Sequence, residues 1–157
     1  MTFSNKASSD KTGVDKSTTD QISDQVIVQV VGSIANIAAE KWDTLTAGMP
    51  LLSHAFLTAL EQSGSVGQGT GWRSCMISIT KQDKLLGAMP LYIKSNSYGE
   101  YVFDWAWADA YEQNGLSYYP KLLSAIPFSP VTSARLLSES NDIKLLLIEA
   151  LEAVMQQ

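Results

Sequence analysis

Arg73-Ser74-Cys75-Met76-Ile77-Ser78-Ile79-Thr80 and Leu85-Leu86-Gly87-Ala88-Met89-Pro90-Leu91-Tyr92-Ile93-Lys94, joined by the polar link Lys81-Gln82-Asp83-Lys84, are the residues on which the fold turns. Two apolar, strand-like runs on either side of a short polar turn predict a β-hairpin. Cys75 alternates with Ile77 and Ile79, so its side chain falls on an apolar face of the first strand. A free cysteine in that position reads as a buried, inert thiol. As the single cysteine of the chain, it also leaves no internal disulfide to form.

On the N-terminal side of the hairpin, Val26-Ile27-Val28-Gln29-Val30-Val31 is a β-branched run that predicts a strand. Ile34, Ala38, Trp42 and Leu45 then recur at helical spacing until Gly48-Met49-Pro50 stops them. A second helix is predicted from Ser53 as N-cap, with Leu52 before the cap and Leu57 at the fourth helical position, the spacing of a hydrophobic staple. Ser63-Gly64 ends it. On the C-terminal side, Tyr98–Asp104 predicts a third strand and Ala106–Asn114 a short helix stopped by Gly115. Lys121–Ile126 and Val131–Leu137 predict further strands. Ile143, Leu146, Leu147, Ala150, Leu151 and Val154 form one apolar helical stripe. Helices interleaved with an antiparallel meander imply an α/β domain, a mixed sheet flanked by helices. The sequence ends two residues after Met155 with no strand to follow, which raises the expectation of a truncated or split polypeptide.

With 157 residues, 45% apolar and 17% charged, the chain has the length and composition of one globular domain with a core. Residues 1–24 are rich in Ser, Thr, Asp and Lys, with Phe3 and Val14 isolated, and are expected to form a disordered tail ahead of a domain over 25–157. The net charge is −5 and no Lys/Arg cluster stands out, so direct nucleic-acid binding by this segment is not expected. The first residues lack an apolar signal core, and no apolar run reaches membrane-spanning length. A cytoplasmic protein without a membrane span is the expectation. One His and one Cys do not make a zinc site. His54 has no nucleophile or acid at a recognisable spacing and reads as a surface or capping residue.

Chemistry concentrates in Tyr98-Gly99-Glu100-Tyr101-Val102-Phe103-Asp104-Trp105-Ala106-Trp107-Ala108-Asp109-Ala110-Tyr111-Glu112. Asp109 and Glu112 lie one helical turn apart and are expected to face one cleft. Trp105, Trp107 and Tyr111 would supply its apolar wall. The plainer reading makes the aromatics core and Asp104 a helix cap. Tyr118, Lys121 and Arg135 add phenol and cations downstream. Gly64, Gly67, Gly69 and Gly71 do not form a pyrophosphate cradle of the Gln/Arg-x-x-Gly-x-Gly type, because Gly64 and Val66 stand where Gln or Arg is required. Their loop also runs from a helix into a strand, so no helix N-terminus faces an anion. It is read as a flexible connection.

Pro50 to Gly64, Gly69-Thr-Gly-Trp72, Gly87-Ala-Met-Pro90-Leu-Tyr-x-Lys94, Ser97-Tyr-Gly-Glu-Tyr-Val-Phe-Asp104-x-Ala-Trp107-Ala, Tyr118-Tyr-Pro-Lys-Leu-Leu123 and Pro127-Phe-x-Pro-Val-Thr132-x-x-Arg135 together resemble the FemAB-like predicted N-acyltransferases, described as peptidoglycan biosynthesis/recognition proteins. The resemblance covers about residues 26–157. The one departure is Thr132-Ser133-Ala134-Arg135, where the family pattern has Thr-Gly-Pro-Arg.

That resemblance implies a GNAT-like domain, the N-terminal half of a two-half architecture, and transfer of an acyl or aminoacyl group to an amine. Asp104, Asp109 or Glu112 would be the catalytic carboxylate. Trp105, Trp107, Tyr111, Tyr118, Lys121 and Arg135 would bind substrate, the two cations holding an anionic group. No cofactor is expected in this chain; the resemblance implies acyl-CoA or aminoacyl-tRNA for a full-length member. Its partners would be a missing C-terminal half or a second copy of the chain, and an amine-bearing small molecule or peptide. Two other classes remain open: a non-catalytic module that binds a cell-wall peptide precursor, and a GNAT-like domain that dimerises.

Overall fold

In the computed structural model, which describes residues 2–4 and 25–156, the hairpin is present and is divided between two sheets. Its first strand runs as β3 (Trp72–Ser74) and β4 (Met76–Lys81), its second as β5 (Lys84–Met89) and β6 (Tyr92–Lys94). The register of Ile77 opposite Met89 continues unchanged to Ser74 opposite Tyr92, so the hairpin does not slip where the sheets part. The break falls where Pro90, which has no N–H to give, faces Met76. At the junction Cys75 N–H still donates to Leu91 O at 2.9 Å. Gln82 and Asp83 both have positive φ (49° and 64°), the geometry whose twist matches that of paired strands.

Each half of the hairpin gains its own neighbour. Strand β2 (Val26–Val31) pairs with β4, and β7 (Lys121–Leu123) pairs with β6. With β1 (Thr2–Ser4) on the outer edge of β2, the sheets have the orders β1-β2-β4-β5 and β3-β6-β7. Among the described residues every strand pair is antiparallel, so the expected single mixed sheet is replaced by two antiparallel ones. Thr2–Ser4, placed in the expected tail, form an edge strand, while residues 5–24 lie outside the described residues.

Helices cover both faces. On one side α1 (Ala39–Asp43), α2 (His54–Gln62) and the 3₁₀ turns Ile34–Asn36 and Pro50–Leu52 bury Ile34, Trp42, Leu52 and Leu57 against Trp72, Met76 and Leu85. On the other, α4 (Asn141–Met155) packs Leu147 and Ala150 on Ile77, Ile79 and Met89. The Ser53 cap is realised: its Oγ accepts from Phe56 N–H at 3.2 Å, and the Leu52 and Leu57 side chains flanking it are buried. The periodic stretch Ile34–Leu45 is not one helix, because the chain extends at Ile37 and Ala38 between the 3₁₀ turn and α1. His54 is half-buried and caps the carbonyl end of the 3₁₀ turn rather than its own helix. Its Nε2 lies 3.1 and 2.9 Å from the carbonyl oxygens of Ile34 and Ile37, tying α2 to that extended break.

Two predicted strands are absent. Val131–Leu137 contributes one bridge, with Leu137 and Ala88 exchanging both backbone bonds at the edge of β5. Tyr98–Asp104 turns instead of extending. Asn96 Oδ1 accepts from Tyr98 N–H at 3.0 Å, and Gly99 takes φ 79°, where a Cβ would stand 2.5 Å from the Phe128 ring. Side chains take the carbonyl that a neighbouring strand would use: Trp72 Nε1 and Lys94 Nζ both donate to Tyr98 O, at 3.0 and 2.9 Å. The alternating pattern was therefore a wrapped loop, and α3 (Trp105–Gln113) follows it directly.

Candidate functional site

Strands β6 and β7 set Lys94 and Lys121 directly opposite one another. Like charges so placed repel. The wrapped loop answers this by inserting Glu100 between them: Lys121 Nζ donates to Oε2 at 2.8 Å, and Lys94 Nζ is 3.7 Å from Oε1. Lys94 is fully buried, with its ammonium 3.8 Å from the centroid of the Trp72 ring. Burial pulls its pKa down from 10.5 to about 8, against the pull of Glu100.

Lys121 also donates to Asp104, which closes the network on its outer side. Asp104 occupies the N-cap position of α3, yet its side chain makes no cap hydrogen bond. Its Oδ2 accepts from Tyr118 OH at 2.5 Å and from Lys121, while Oδ1 accepts from Ser97 Oγ. Ser97 Oγ in turn lies 2.5 Å from the Tyr119 hydroxyl. Although burial opposes ionisation, the donors prevail and hold the Asp104 carboxyl well below the usual carboxylate range. Lys121 is held above 10.5, its partners Asp104 and Glu100 outweighing burial. The Tyr118 phenol is pushed up to about 12, chiefly by its bond to Asp104. At neutral pH the arrangement therefore holds the two lysine cations, an ionised Asp104 and a protonated Tyr118 phenol.

Next to this network a cleft of about 210 Å³ is lined by Ser97, Tyr98, Trp105, Asp109 and Tyr119, with Asn96 and Ala108. Helix α3, which forms one wall, buries none of its residues. Trp105 is packed edge-on by Tyr98 and Phe103, with ring centroids 6.2 and 5.9 Å away.

The family model for FemAB-like proteins, described as peptidoglycan biosynthesis/recognition, matches residues 33–157. The chain belongs to the FemAB-like family. No curated protein and no solved structure matches it. Among the described residues no helix is long and apolar enough to cross a membrane.

In this FemAB-like chain the sequence-predicted residues separate into four places. Asp104, Tyr118 and Lys121 meet in the ion network, and Tyr111 packs edge-on against Tyr118 with centroids 5.2 Å apart. Asp109 and Trp105 line the adjoining cleft. Glu112 and Trp107 lie on α3 but not in that cleft, and both side chains are exposed. The helical spacing of Asp109 and Glu112 did not bring both into one cleft, because α3 stands out from the body of the domain and presents most of its circumference to solvent. Arg135 lines a different hollow, together with Glu100, Thr132 and Trp72. Lys94, Ser97, Glu100 and Tyr119 were not singled out from the sequence. The signal for Glu100 lay in the turn, since Asn96 and Gly99 fold its carboxylate back onto the lysines.

Proposed function

We propose that this chain provides the amine-recognising part of an acyl or aminoacyl transferase of peptidoglycan biosynthesis, with a GNAT-like core. The observation that carries the reading is the division of labour between two carboxylates. Both oxygens of Asp104 are taken by Ser97, Tyr118 and Lys121, so it can neither accept a proton near neutrality nor receive a ligand. Asp109 lines the cleft five residues on, exposed and without a protein partner among the described residues. Its carboxylate can hold an ammonium by charge-assisted hydrogen bonds, with Ser97 and Tyr119 offering further polar atoms and the Trp105 ring an apolar wall.

Transfer to an amine requires the neutral nitrogen to attack the donor carbonyl. A free ammonium is far less acidic than a surface carboxylic acid. Asp109 therefore orients the amine rather than deprotonating it outright. The ammonium first loses one proton to water; as the neutral nitrogen forms the C–N bond it becomes acidic and gives its next proton, by way of Asp109, to the thiolate or ribose oxygen that leaves as the donor's C–S or C–O ester bond breaks. The donor, an acyl-CoA or an aminoacyl-tRNA, is held by a second GNAT-like half or a second copy of the chain. Asp104, Lys121 and Tyr118 are positioning residues that fix the start of α3 and hence Asp109.

Nα-acetyl-lysine amide, which carries one free primary amine, tests this. Titration followed by amide chemical shifts should perturb Ser97, Trp105 and Asp109, and Asp109→Asn should weaken binding about tenfold. Equal binding of the same compound with its side-chain amine acetylated would refute the reading. A second reading, recognition of an amine-bearing peptide without transfer, is favoured by the full engagement of Asp104. It would stand if amine binding is seen but no acyl transfer from acyl-CoA or aminoacyl-tRNA occurs with the full reading frame.

A further inference from the structure

A second hollow, of about 230 Å³, shares no lining residue with the Asp109 cleft. Three loops enclose it: the wrapped turn at Gly99–Val102, the exit of β7, and the irregular segment that ends at Arg135. Trp72, Leu123, Ile126 and Val131 give it apolar walls, and Ser129 and Thr132 supply hydroxyls. At about 30 Å³ per water this is room for roughly seven waters, or one amino-acid-sized group.

The guanidinium of Arg135 is the feature that needs an explanation. Its Nε donates to Ser124 O and its Nη1 to Ser133 O, both at 3.2 Å, and Nη1 donates again to Ser133 Oγ. All of these acceptors are neutral. They hold the fork in one orientation and leave Nη2 unspent, and among the described residues no carboxylate lies within ion-pair reach of it. Glu100 lines the same hollow, but its charge is met by Lys121 and Lys94. A half-buried cation without a counter-charge is costly, and burial accordingly pulls the Arg135 pKa below its usual value. Holding two loops together needs donors but no charge.

We propose that this hollow binds the carboxylate of a small apolar acid, of the kind at the C-terminal end of a peptide. Arg135 Nη2 takes the carboxylate, and the apolar chain lies along the Trp72 wall. A monoanion fits better than a phosphate. One guanidinium with no second free cation in the hollow balances a single charge, and the Glu100 carboxylate beside it disfavours a dianion. The site goes beyond the amine reading and stands without it.

N-acetyl-leucine and N-acetyl-leucinamide, which differ in the carboxylate and contain no amine, test the site in the whole chain. Amide and indole chemical shifts would be followed, with the Trp72 indole N–H as the near reporter. The acid is expected to bind at least tenfold more tightly than the amide, and Arg135→Gln to erase that difference. Ala125→Phe, which puts a large side chain into the hollow and leaves Arg135 in place, is expected to abolish binding of both and keeps the test decisive if Arg135→Gln does not fold. Equal affinity for acid and amide would overturn the proposal, as would binding unaffected by Ala125→Phe. Displacement of the acid by equimolar inorganic phosphate would overturn the choice of a monoanion.

Discussion

Tyr118 donates its phenolic hydrogen to Oδ2 of Asp104 across 2.5 Å, joining the strand-entry segment before β7 to the first turn of α3. Because Lys121 holds the same oxygen, the start of α3 is anchored by one neutral and one charged donor. Removing the hydroxyl and removing the charge should therefore have unequal effects.

Tyr118→Phe leaves Asp104 with Lys121 and Ser97, and is expected to cost about 1 kcal/mol, a typical net hydrogen bond. Asp104→Asn keeps the shape but leaves Lys121 one carboxylate short. Breaking a fully buried pair costs about 3–5 kcal/mol, and solvent access to this one reduces the expectation to about 2–3 kcal/mol. Urea denaturation at pH 7 measures both. A Tyr118→Phe variant less stable than Asp104→Asn would contradict the assignment of Lys121 as the principal partner.

Three groups set opposing pH dependences. The folded-state pKa of Asp104 is depressed below 3.8, so its contribution is present above that pH and is lost as the solution becomes more acid. That of Lys121 is raised above 10.5, so its contribution is present below 10.5 and fades at higher pH. Lys94 works the other way. Its pKa is lowered to about 8, so between 8 and 10.5 the unfolded chain binds more protons at this group and Lys94 adds stability as pH rises, against Cys75 and Tyr118, whose raised pKa values remove stability over the same range. Urea midpoints from pH 7 to 10, compared between the native chain and Lys94→Met, isolate this slope. The native chain should gain stability with pH relative to Lys94→Met, since the other titrating groups are common to both; parallel curves would refute it.

Of the four tryptophans, Trp42 and Trp72 are buried, whereas Trp105 and Trp107 are 53% and 66% exposed. Fluorescence should divide into accessible and protected fractions on acrylamide titration, and Trp107→Phe should shrink the accessible one. Residues 95–120 contain Glu100, Asp104, Asp109 and Glu112 and no Lys, Arg or His. Caesium should consequently quench the accessible fraction better than iodide. Uniform quenching of all four indoles would refute the exposed placement of α3.

Much of the scaffold could be read from local signals. The hairpin was carried by two apolar runs and a polar turn. The start of α2 was carried by Ser53 between Leu52 and Leu57, and the last helix by one apolar stripe. In each case the residues that decide the element lie within a few positions of one another. The carboxylate-aromatic stretch drew attention to Asp104, Asp109 and Glu112 alike, of which the fold puts the first in the ion network, the second in the cleft and the third on the exposed face of α3.

What the sequence determined by itself is the set of elements whose hydrogen bonds and apolar contacts are local, together with the family, through motifs spread over the chain. Tertiary structure alone decided which sheet each half of the hairpin joined. Pro90 interrupts the ladder, but β2 and β7 had to arrive from distant positions to complete the two halves. It also decided that Tyr98–Asp104 would wrap. An alternating pattern makes a strand only where a neighbour offers backbone partners, and here Trp72 and Lys94 took the Tyr98 carbonyl instead. The separate roles of the carboxylates follow from the same cause. Lys121 is 17 residues from Asp104 in sequence, and only the pairing of β6 with β7 brings its charge against Asp104 and Glu100 while leaving Asp109 free.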